Sequence, residues 1–315
     1  MLAIDTQTHL VPDAYLALLR AAAESGPWVE RSAAPSLALG ADHPARRLDR
    51  HLADMEAAGV DVSVLSVLPP GAAGLGSLSR EAAAVANDEL LDACRQAPGR
   101  LLMLAALPLD DPDASLKELE RLRNVPEVRG VCAMAYLDGS TRLLDDSELE
   151  PVYRTLAAHG WPVVVHPTLE DFGIGLADPT LAGGLGSMVT SSAAALRLIL
   201  SGLLDRIPTL DVILPHLGGV VPYLGQRLEE FATGRLPRPL ESYLKERLYY
   251  DNCSFQANAL EYLCRLAGAG RVMLGSDYPF RGDPRRALTD LEASSLDAEE
   301  KVAIRGGTAS RWFAP

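Results

Sequence analysis

The sequence predicts an α/β fold in the form of a (β/α)8 TIM barrel, and three observations support this prediction. Short β-branched runs alternate with helical patterns along the whole chain. Such alternation is typical of a parallel sheet with helical crossovers. About eight strand–helix units in 315 residues also match the size of this barrel. A doubly wound open sheet is the alternative; no GxGxxG pattern follows the first strand, which weakens a dinucleotide-binding form of it.

The first third of the chain contains the elements that begin this alternation. An apolar start predicts a strand that ends in polar residues near position 9, and Gly59 is expected to cap the helix before the second strand. A Gly-, Pro- and Ser-rich stretch predicts an irregular insertion that could cover a site. The predicted elements are a strand at 2–9, a helix at 14–23, the insertion around 25–47, a helix at 48–58 and a strand at 60–68.

The middle of the chain repeats the pattern with clear boundary signals. Pro98-Gly99 ends one helix and Gly160 ends another, while Asp113 or Ser115 and then Ser147 are expected N-caps. The predicted elements are helices at 79–97, 113–123 and 147–159, and strands at 101–107, 129–135 and 161–166.

The last part of the chain supplies the remaining units, so that residues 1–315 are expected to form a single barrel domain without a linker. The predicted elements are helices at 187–204, 223–231, 259–267, 284–291 and 297–304, and strands at 210–214, 248–251 and 271–275.

Composition and charge limit the classes of partner. Hydrophobic residues make up 48% of the chain and charged residues 23%, which is typical of a soluble globular protein. The net charge of −13 repels phosphate backbones, so nucleic acid is not an expected partner. No basic signal segment and no apolar run of about 20 residues are visible, so we expect a cytoplasmic protein without a membrane span. The four cysteines lack CxxC spacing and are expected to be reduced core residues.

Several predicted strands end in residues that can bind a metal ion. Gln7 and His9 are two positions apart and therefore point to the same face of the first strand. His166, His216 and Asp277 end the fifth, sixth and eighth strands. A TIM barrel brings all strand C-termini to one face, where active sites lie. Two histidines, a carboxylate and an amide there suit a divalent metal such as zinc.

Each of these residues also has a structural interpretation. A single histidine after a buried strand is more often a hydrogen-bonding group than a ligand, and Asp277 could cap a turn. Their joint occurrence favours a site, because the strands that end in Leu68, Leu107 and Ala135 carry apolar residues instead. His43 and His51 lie in polar sequence surroundings and are expected to be exposed.

Seven segments together resemble a known family. The chain resembles the amidohydrolase-related metal-dependent proteins, and within them it is most similar to the aminocarboxymuconate-semialdehyde decarboxylase family. The segments are Asp5-Thr6-Gln7-Thr8-His9, Asp54-Met55 through Gly59-Val60, Val165-His166-Pro167, Leu203-Leu204-Asp205-Arg206-Ile207-Pro208, Pro215-His216-Leu217-Gly218-Gly219, Leu274-Gly275-Ser276-Asp277-Tyr278-Pro279-Phe280 and Gly306-Gly307-Thr308-Ala309.

The resemblance implies a distorted, amidohydrolase-type barrel that binds zinc, or alternatively manganese. The implied metal ligands are Gln7, His9, His166 and Asp277. His216 is implied as a general acid/base, and Asp277 as a second group that moves protons. Arg227 matches an arginine that in some members reaches the substrate site of the neighbouring subunit, which implies a homodimer; a salt bridge on the helix surface is the alternative.

Position 7 departs from the family pattern, and this departure leaves three hypotheses open. The family usually has His there and sometimes Glu, whereas a Gln amide is a neutral and weaker donor. The first hypothesis is a metal-dependent, non-oxidative decarboxylase of an aromatic or unsaturated carboxylate. The second is a hydrolase of the same superfamily, with Asp277 as the base. The third is a metal-free member that hydrolyses a lactone, or binds or cyclises a natural-product intermediate.

Overall fold

The computed structural model describes residues 2–24, 26–138, 142–169, 175–176, 178–253 and 256–315 and contains one sheet of eight parallel strands. The strands follow one another in chain order, and each pairs with the next. Bridges from Asp5 to Leu274 and from Thr8 to Tyr278 bring the first and last strands together, so the sheet is nearly closed into a barrel. The predicted TIM barrel is therefore confirmed, and the open doubly wound sheet is wrong.

The strands are short, and two of their pairings are irregular. The register shifts between Asp5 and Thr8 in the first pairing and between Met103 and Ala105 in the third, which makes the barrel distorted. The strands are β1 Ile4–His9, β2 Val62–Ser66, β3 Leu101–Ala105, β4 Val128–Met134, β5 Val163–His166, β6 Val212–Leu214, β7 Leu248–Asp251 and β8 Val272–Met273.

Helices surround the strands and connect consecutive ones. The α-helices are α1 Asp13–Ala23, α2 Pro27–Leu37, α3 Leu48–Ala58, α4 Ser79–Gln96, α5 Pro112–Leu122, α6 Glu150–His159, α7 Pro179–Leu181, α8 Ser187–Leu200, α9 Leu203–Arg206, α10 Pro215–Gly218, α11 Val221–Ala232, α12 Leu240–Glu246, α13 Ala257–Ala267, α14 Arg285–Ala293, α15 Ala298–Val302 and α16 Ser310–Phe313. Short 3₁₀ or π turns lie at Pro44–Arg46, Gly76–Leu78, Ser147–Leu149, Ala182–Gly186, Ala269–Arg271 and Ala303–Gly307.

The insertion predicted as irregular contains a helix. Helix α2 occupies Pro27–Leu37, while residue 25 lies outside the described residues. Pro27 stands in the first turn, where a missing N–H costs nothing, and the face with Val29 and Ala33 is buried against α1. Burial of one helix face against α1 thus stabilises a helix in a segment whose composition is typical of a loop. Helix α12, Leu240–Glu246, was likewise not predicted.

Three helix boundaries differ from the predicted ones for local reasons. Asp111, and not Asp113 or Ser115, caps α5: its carboxylate accepts a hydrogen bond from the Ala114 N–H at 3.0 Å, because Pro112 occupies the first helical position. Asp146 performs the same role before Ser147. The long helix predicted to residue 204 ends at Leu200, and Gly202 then adopts a left-handed φ of 74°.

The barrel interior is filled with apolar side chains and closed at its N-terminal end. Trp312 and Phe313 of α16 pack there against interior residues. The interior side chains are Ile4, Val62, Val64, Leu102, Leu104, Cys132, Met134, Val164, Ile213, Tyr249 and Met273. A cavity is consequently left at the other end, where the strands terminate. All four cysteines are free and buried, as predicted.

One helical stretch within the described chain is long and apolar enough to cross a membrane by length and composition alone. It runs from Pro179 to Leu200, and 50% of its apolar window is buried inside the protein. No such stretch was predicted from the sequence. The stretch passes the length test because α7, a glycine-containing π turn and α8 join end to end with few charges.

His51 is fully buried, so the prediction that it is exposed is wrong. It faces inward from α3, where its Nε2 lies 3.2 Å from Ser63 Oγ and its ring meets the ring of Tyr278 edge-on at 4.9 Å. Burial lowers the pKa of His51 from 6.5 to about 4 and outweighs the charge of Asp54, which acts to raise it. The imidazole is therefore neutral in the folded protein at neutral pH.

This buried imidazole predicts a pH dependence of stability. The unfolded chain binds a proton on His51 below pH 6.5, whereas the folded protein does so only near pH 4. The neutral His51 therefore contributes to the free energy of unfolding above pH 6.5, and this contribution is lost as the pH falls to 4. The loss is about 3 kcal/mol, since one pKa unit corresponds to about 1.4 kcal/mol. Denaturant unfolding at pH 7, 5.5 and 4 should show the wild type losing this much more than His51→Gln. Parallel losses in both proteins would contradict the prediction.

Candidate active site

A cavity of about 510 Å³ opens at the C-terminal ends of the strands. Its inner end carries polar side chains and its walls are mainly apolar. The lining residues are Pro35, Leu68, Pro69, His166, Pro167, Leu169, Gly183, Gly184, Ser187, Met188, His216, Cys253, Asp277, Phe280 and Arg281.

Strand β1 places Gln7 and His9 against two residues that line this cavity, His216 and Asp277. The His9 ring is held at both nitrogens: Nδ1 lies 3.1 Å from Ser66 Oγ at the end of β2, and Nε2 lies 3.0 Å from Asp277 Oδ1. These two contacts fix the plane of an imidazole that is fully buried. His9 is thus positioned before any ligand arrives.

His166, at the end of β5, presents a bare nitrogen lone pair. Its Nδ1 donates a hydrogen bond to the Pro167 carbonyl at 2.9 Å, and its buried Nε2 has no hydrogen-bond partner among the described residues. Burial, followed by the nearby His9 and His216, lowers the pKa of His166 to about 3. The ring is neutral at physiological pH, which is the state that binds a metal.

His216 follows β6 in an unusual backbone conformation. Its φ of 57° is left-handed, and that of Leu217 is 52°. The Asp251 carboxylate stabilises this turn, because its Oδ1 accepts hydrogen bonds from the backbone N–H groups of His216 at 2.8 Å and Cys253 at 2.9 Å. No role was predicted for Asp251, although a carboxylate at the end of β7 was a visible signal in the sequence.

Asp277 is also left-handed, with φ 54°, and lies in a turn that is fastened to β1. Its N–H donates to the Gln7 carbonyl at 2.9 Å, while the N–H and hydroxyl of Ser276 donate to the Asp5 carboxylate at 2.9 and 2.5 Å. At Gly275 an added Cβ would lie 2.8 Å from Asp251 Cγ, so only glycine fits there. Asp5 thus positions the end of the eighth strand, a role that was not predicted from the sequence.

Asp277 and His216 influence each other's protonation. Burial alone would lower the pKa of His216, but the Asp277 carboxylate, whose Oδ2 lies 3.8 Å from Nε2, outweighs burial and raises that pKa. Burial alone would raise the pKa of Asp277, but His216 and His9 hold it well below its usual range. The pair therefore combines a permanent carboxylate with an imidazole that readily takes up a proton.

Gln7 contacts His216, and one of its polar atoms lacks a partner. Its Nε2 lies 3.1 Å from His216 Nε2, and its buried Oε1 has no hydrogen-bond partner among the described residues. In this orientation Gln7 donates to an unprotonated His216 nitrogen; rotating the amide by 180° lets Oε1 accept from a protonated one.

The donor set at the inner end fits a divalent metal ion. Ligand atoms of His9, His166 and Asp277 lie within 4.8 Å of one another. Two further atoms at this end, His166 Nε2 and Gln7 Oε1, are buried electron-pair donors without a hydrogen-bond partner among the described residues. A bound cation would supply the missing partner for both. The predicted residues 7, 9, 166, 216 and 277 thus lie together.

Phe280 and Arg281 form part of the cavity mouth and were given no role from the sequence. The Phe280 ring lies 5.9 Å from the His9 ring and stacks on the His43 ring at 5.7 Å. The positive charge of Arg281 is close enough to act on His216. Both directly follow the Asp-Tyr-Pro turn, which was the available signal.

The structure places Arg227 outside the cavity. It lies exposed on α11, with its guanidinium 5.3 Å from the ring of Phe231, which is 72% exposed. Tyr223 and Leu224 on the same helix are also exposed. Within one chain, Arg227 therefore does not reach the cavity, and its predicted role depends on a second subunit.

This chain is similar in sequence to proteins that are named as decarboxylases. It is 30% identical over 283 residues to a gamma-resorcylate decarboxylase of Rhizobium sp. (strain MTP-10005), which covers 84% of this chain and 86% of the relative. It is 27% identical over 231 residues to a 2-amino-3-carboxymuconate-6-semialdehyde decarboxylase of Dictyostelium discoideum, over 70% of this chain and 63% of the relative.

A solved structure superposes over nearly the full length. It is a 5-carboxyvanillate decarboxylase from Novosphingobium aromaticivorans, in complex with manganese and 4-hydroxy-3-methoxy-5-nitrobenzoic acid. The two share 26% identity with a TM-score of 0.88, and the alignment covers 99% of this chain and 96% of the other. The sequence profile of the amidohydrolase family matches residues 4–314. The resemblance inferred from the motifs is thus confirmed, and the chain belongs to the amidohydrolase family.

Proposed function

We propose that this protein is a metal-dependent, non-oxidative decarboxylase of a hydroxylated aromatic, or similarly unsaturated, carboxylate. The observation that carries the proposal is the group of His9, His166, His216 and Asp277, with Gln7, at the inner end of an apolar cavity. The names of the decarboxylases to which the chain is similar support it.

The inner residues would hold the cation, and the walls would hold the ring. When bound by Gln7, His9, His166 and Asp277, a divalent cation supplies positive charge that attracts the carboxylate and a neighbouring hydroxyl oxygen. Zinc suits this nitrogen- and oxygen-rich set, and manganese is the alternative that one neighbour contains. Phe280, Met188 and Leu68 line the part of the cavity where a flat ring would lie.

His216 performs the proton transfer in this proposal. The imidazolium N–H protonates the carbon of the substrate ring that carries the carboxylate. The electron pair of the carbon–carboxylate bond then returns to the substrate ring as carbon dioxide leaves. Asp277 keeps the imidazole charged before transfer, because its carboxylate raises the pKa of His216. Solvent at the open mouth restores the lost proton.

The wider setting is proposed as well. A cytoplasmic homodimer would allow Arg227 to reach the partner subunit's cavity and bind a substrate anion, and the exposed apolar side chains beside Arg227 suit a contact between subunits.

The metal-free alternative, a lactone hydrolase or cyclase, is favoured only by the weak donor at position 7. A hydrolase of the same superfamily would use Asp277 as a base towards water.

The test is a screen of hydroxylated aromatic carboxylates for carbon dioxide release by the metal-free protein, with and without added zinc or manganese. Metal-dependent release with formation of the ring-protonated product is the expected result. Release of an acid from lactones or amides without carbon dioxide would instead establish a hydrolase. Turnover that is indifferent to chelator would establish the metal-free alternative.

We predict that Gln7→His binds the metal more tightly than the wild type. An imidazole donates more electron density to zinc than a neutral amide oxygen does, and the Gln7 side chain already reaches the site. We expect the affinity for zinc to rise by at least about tenfold, which is the size of the change in metal affinity that substitutions of residues around metal ligands produce. Calorimetric titration of metal-free protein with zinc measures it.

Gln96→His, on the exposed surface of α4, is the matched control and should leave the affinity unchanged. Equal affinities of wild type and Gln7→His would show that position 7 is not a ligand position. If Gln7→His gains affinity while added metal leaves turnover flat, metal-free chemistry is favoured.

A further inference from the structure

A second group of ligand-type side chains lies next to the first. Ligand atoms of His216, Cys253 and Asp277 are within 4.8 Å of one another. All three residues line the cavity, and Cys253, directly after β7, is only 1% exposed. Sulfur, imidazole nitrogen and carboxylate oxygen are the donors that zinc takes in proteins. We call these three residues the thiol site.

The thiol site shares Asp277 with the first donor group, through different oxygens. Asp277 Oδ1 lies 3.0 Å from His9 Nε2, whereas Oδ2 lies 3.8 Å from His216 Nε2. A carboxylate arranged in this way can serve two cations at once, as in enzymes that bind two neighbouring metals. Filling the first group therefore does not use up the donors of the thiol site.

The backbone holds two members of the thiol site in a fixed relation. Asp251 Oδ1 accepts hydrogen bonds from the N–H groups of both His216 and Cys253, at 2.8 and 2.9 Å. Neither residue can move far without breaking a buried hydrogen bond, which would leave a buried acceptor or donor unpaired. The backbone segments that carry these two side chains are therefore fixed before any cation binds.

We propose that the thiol site binds a second, thiophilic divalent cation such as zinc or cadmium, and that this binding inhibits the enzyme. The cation forms a bond to Cys253 Sγ as the thiol proton leaves to solvent, so one proton is released. It also takes the nitrogen lone pair of His216 that would otherwise carry the catalytic proton. Manganese and magnesium prefer oxygen ligands and should not bind there. The inhibition rests on the proposed role of His216, whereas the binding does not.

Cobalt titration of the metal-free protein tests the binding without substrate. The first equivalent of Co²⁺ should produce only the visible bands of cobalt bound by nitrogen and oxygen. The second equivalent should add a near-ultraviolet band from thiolate-to-cobalt charge transfer. Cys253→Ser should lose this band and keep the visible ones, while Cys264→Ser, a control on α13, should keep both.

Three outcomes of the titration would overturn the binding of a second cation at the thiol site. They are no thiolate band in the wild type, a band that survives in Cys253→Ser, and a band that is complete at the first equivalent. Cys253→Ala provides a second variant, and thermal unfolding identifies a variant that does not fold. Because the readout is spectroscopic, it remains decisive even if no carboxylate is found to be a substrate.

Turnover against zinc concentration tests the inhibition. Relative to its own value at one equivalent, the wild type should lose activity by about 100-fold or more when the second site is filled, the size of effect expected for losing a proton donor. Cys253→Ser should lack this decrease, and manganese should not cause it in the wild type. A decrease that is equal in Cys253→Ser, or equal with manganese, would overturn the inhibitory role.

Discussion

Replacement of Asp277 by alanine is expected to lower turnover by at least about 1,000-fold, within the range for loss of a proton-transfer group. The substitution removes an oxygen donor of the metal group and the partner of His9 Nε2 at 3.0 Å. It also removes the carboxylate that raises the pKa of His216. Steady-state turnover with saturating metal, on any carboxylate that the wild type converts, measures the loss.

A second variant separates chemistry from backbone strain. Asp277 has φ 54°, a conformation that costs alanine about 1–2 kcal/mol but that asparagine tolerates. Asp277→Asn should therefore fold like the wild type in thermal unfolding and still lose most of its activity. Asp42→Ala, at a side chain that is 99% exposed, is the control and should keep full turnover. Near-normal turnover of Asp277→Asn would make the site assignment wrong.

Replacement of His216 by asparagine is expected to lower turnover by about 100- to 10,000-fold while one equivalent of metal remains bound. Asparagine suits the left-handed backbone at this position, so the turn held by Asp251 should persist. The donors Gln7, His9, His166 and Asp277 are untouched. Turnover and elemental analysis on the same preparation test both parts of the prediction.

His159→Asn, at the last turn of α6, is the matched control because that histidine lies away from the cavity. If His216→Asn loses its one equivalent of metal, His216 is a ligand of the first site and its assignment as proton donor has to be abandoned. If it keeps both metal and turnover, another group supplies the proton.

Much of the architecture followed from local sequence patterns, because a barrel is built from repeated local units. The strand–helix alternation was visible without any long-range information, and nearly every predicted element lies within a few residues of an observed one. The exceptions are instructive. Helix α2 has the composition of a loop and is helical because its Val29 face is buried, which no local pattern reveals. His51 was misjudged for the same reason, since its burial depends on Ser63 and Tyr278.

The sequence by itself determined that five polar residues near the strand ends meet at the site. In a barrel every strand ends at the same face, so polar strand ends at positions 7, 9, 166, 216 and 277 had to converge once the fold was known. Only the tertiary structure decided how they meet. The contact between Gln7 and His216 and the approach of Cys253 to His216 join residues from different strands. The lone pair of His166 Nε2 is bare because no described residue reaches it. Such contacts depend on distances between side chains that are remote along the chain, and these distances exist only when the barrel has closed.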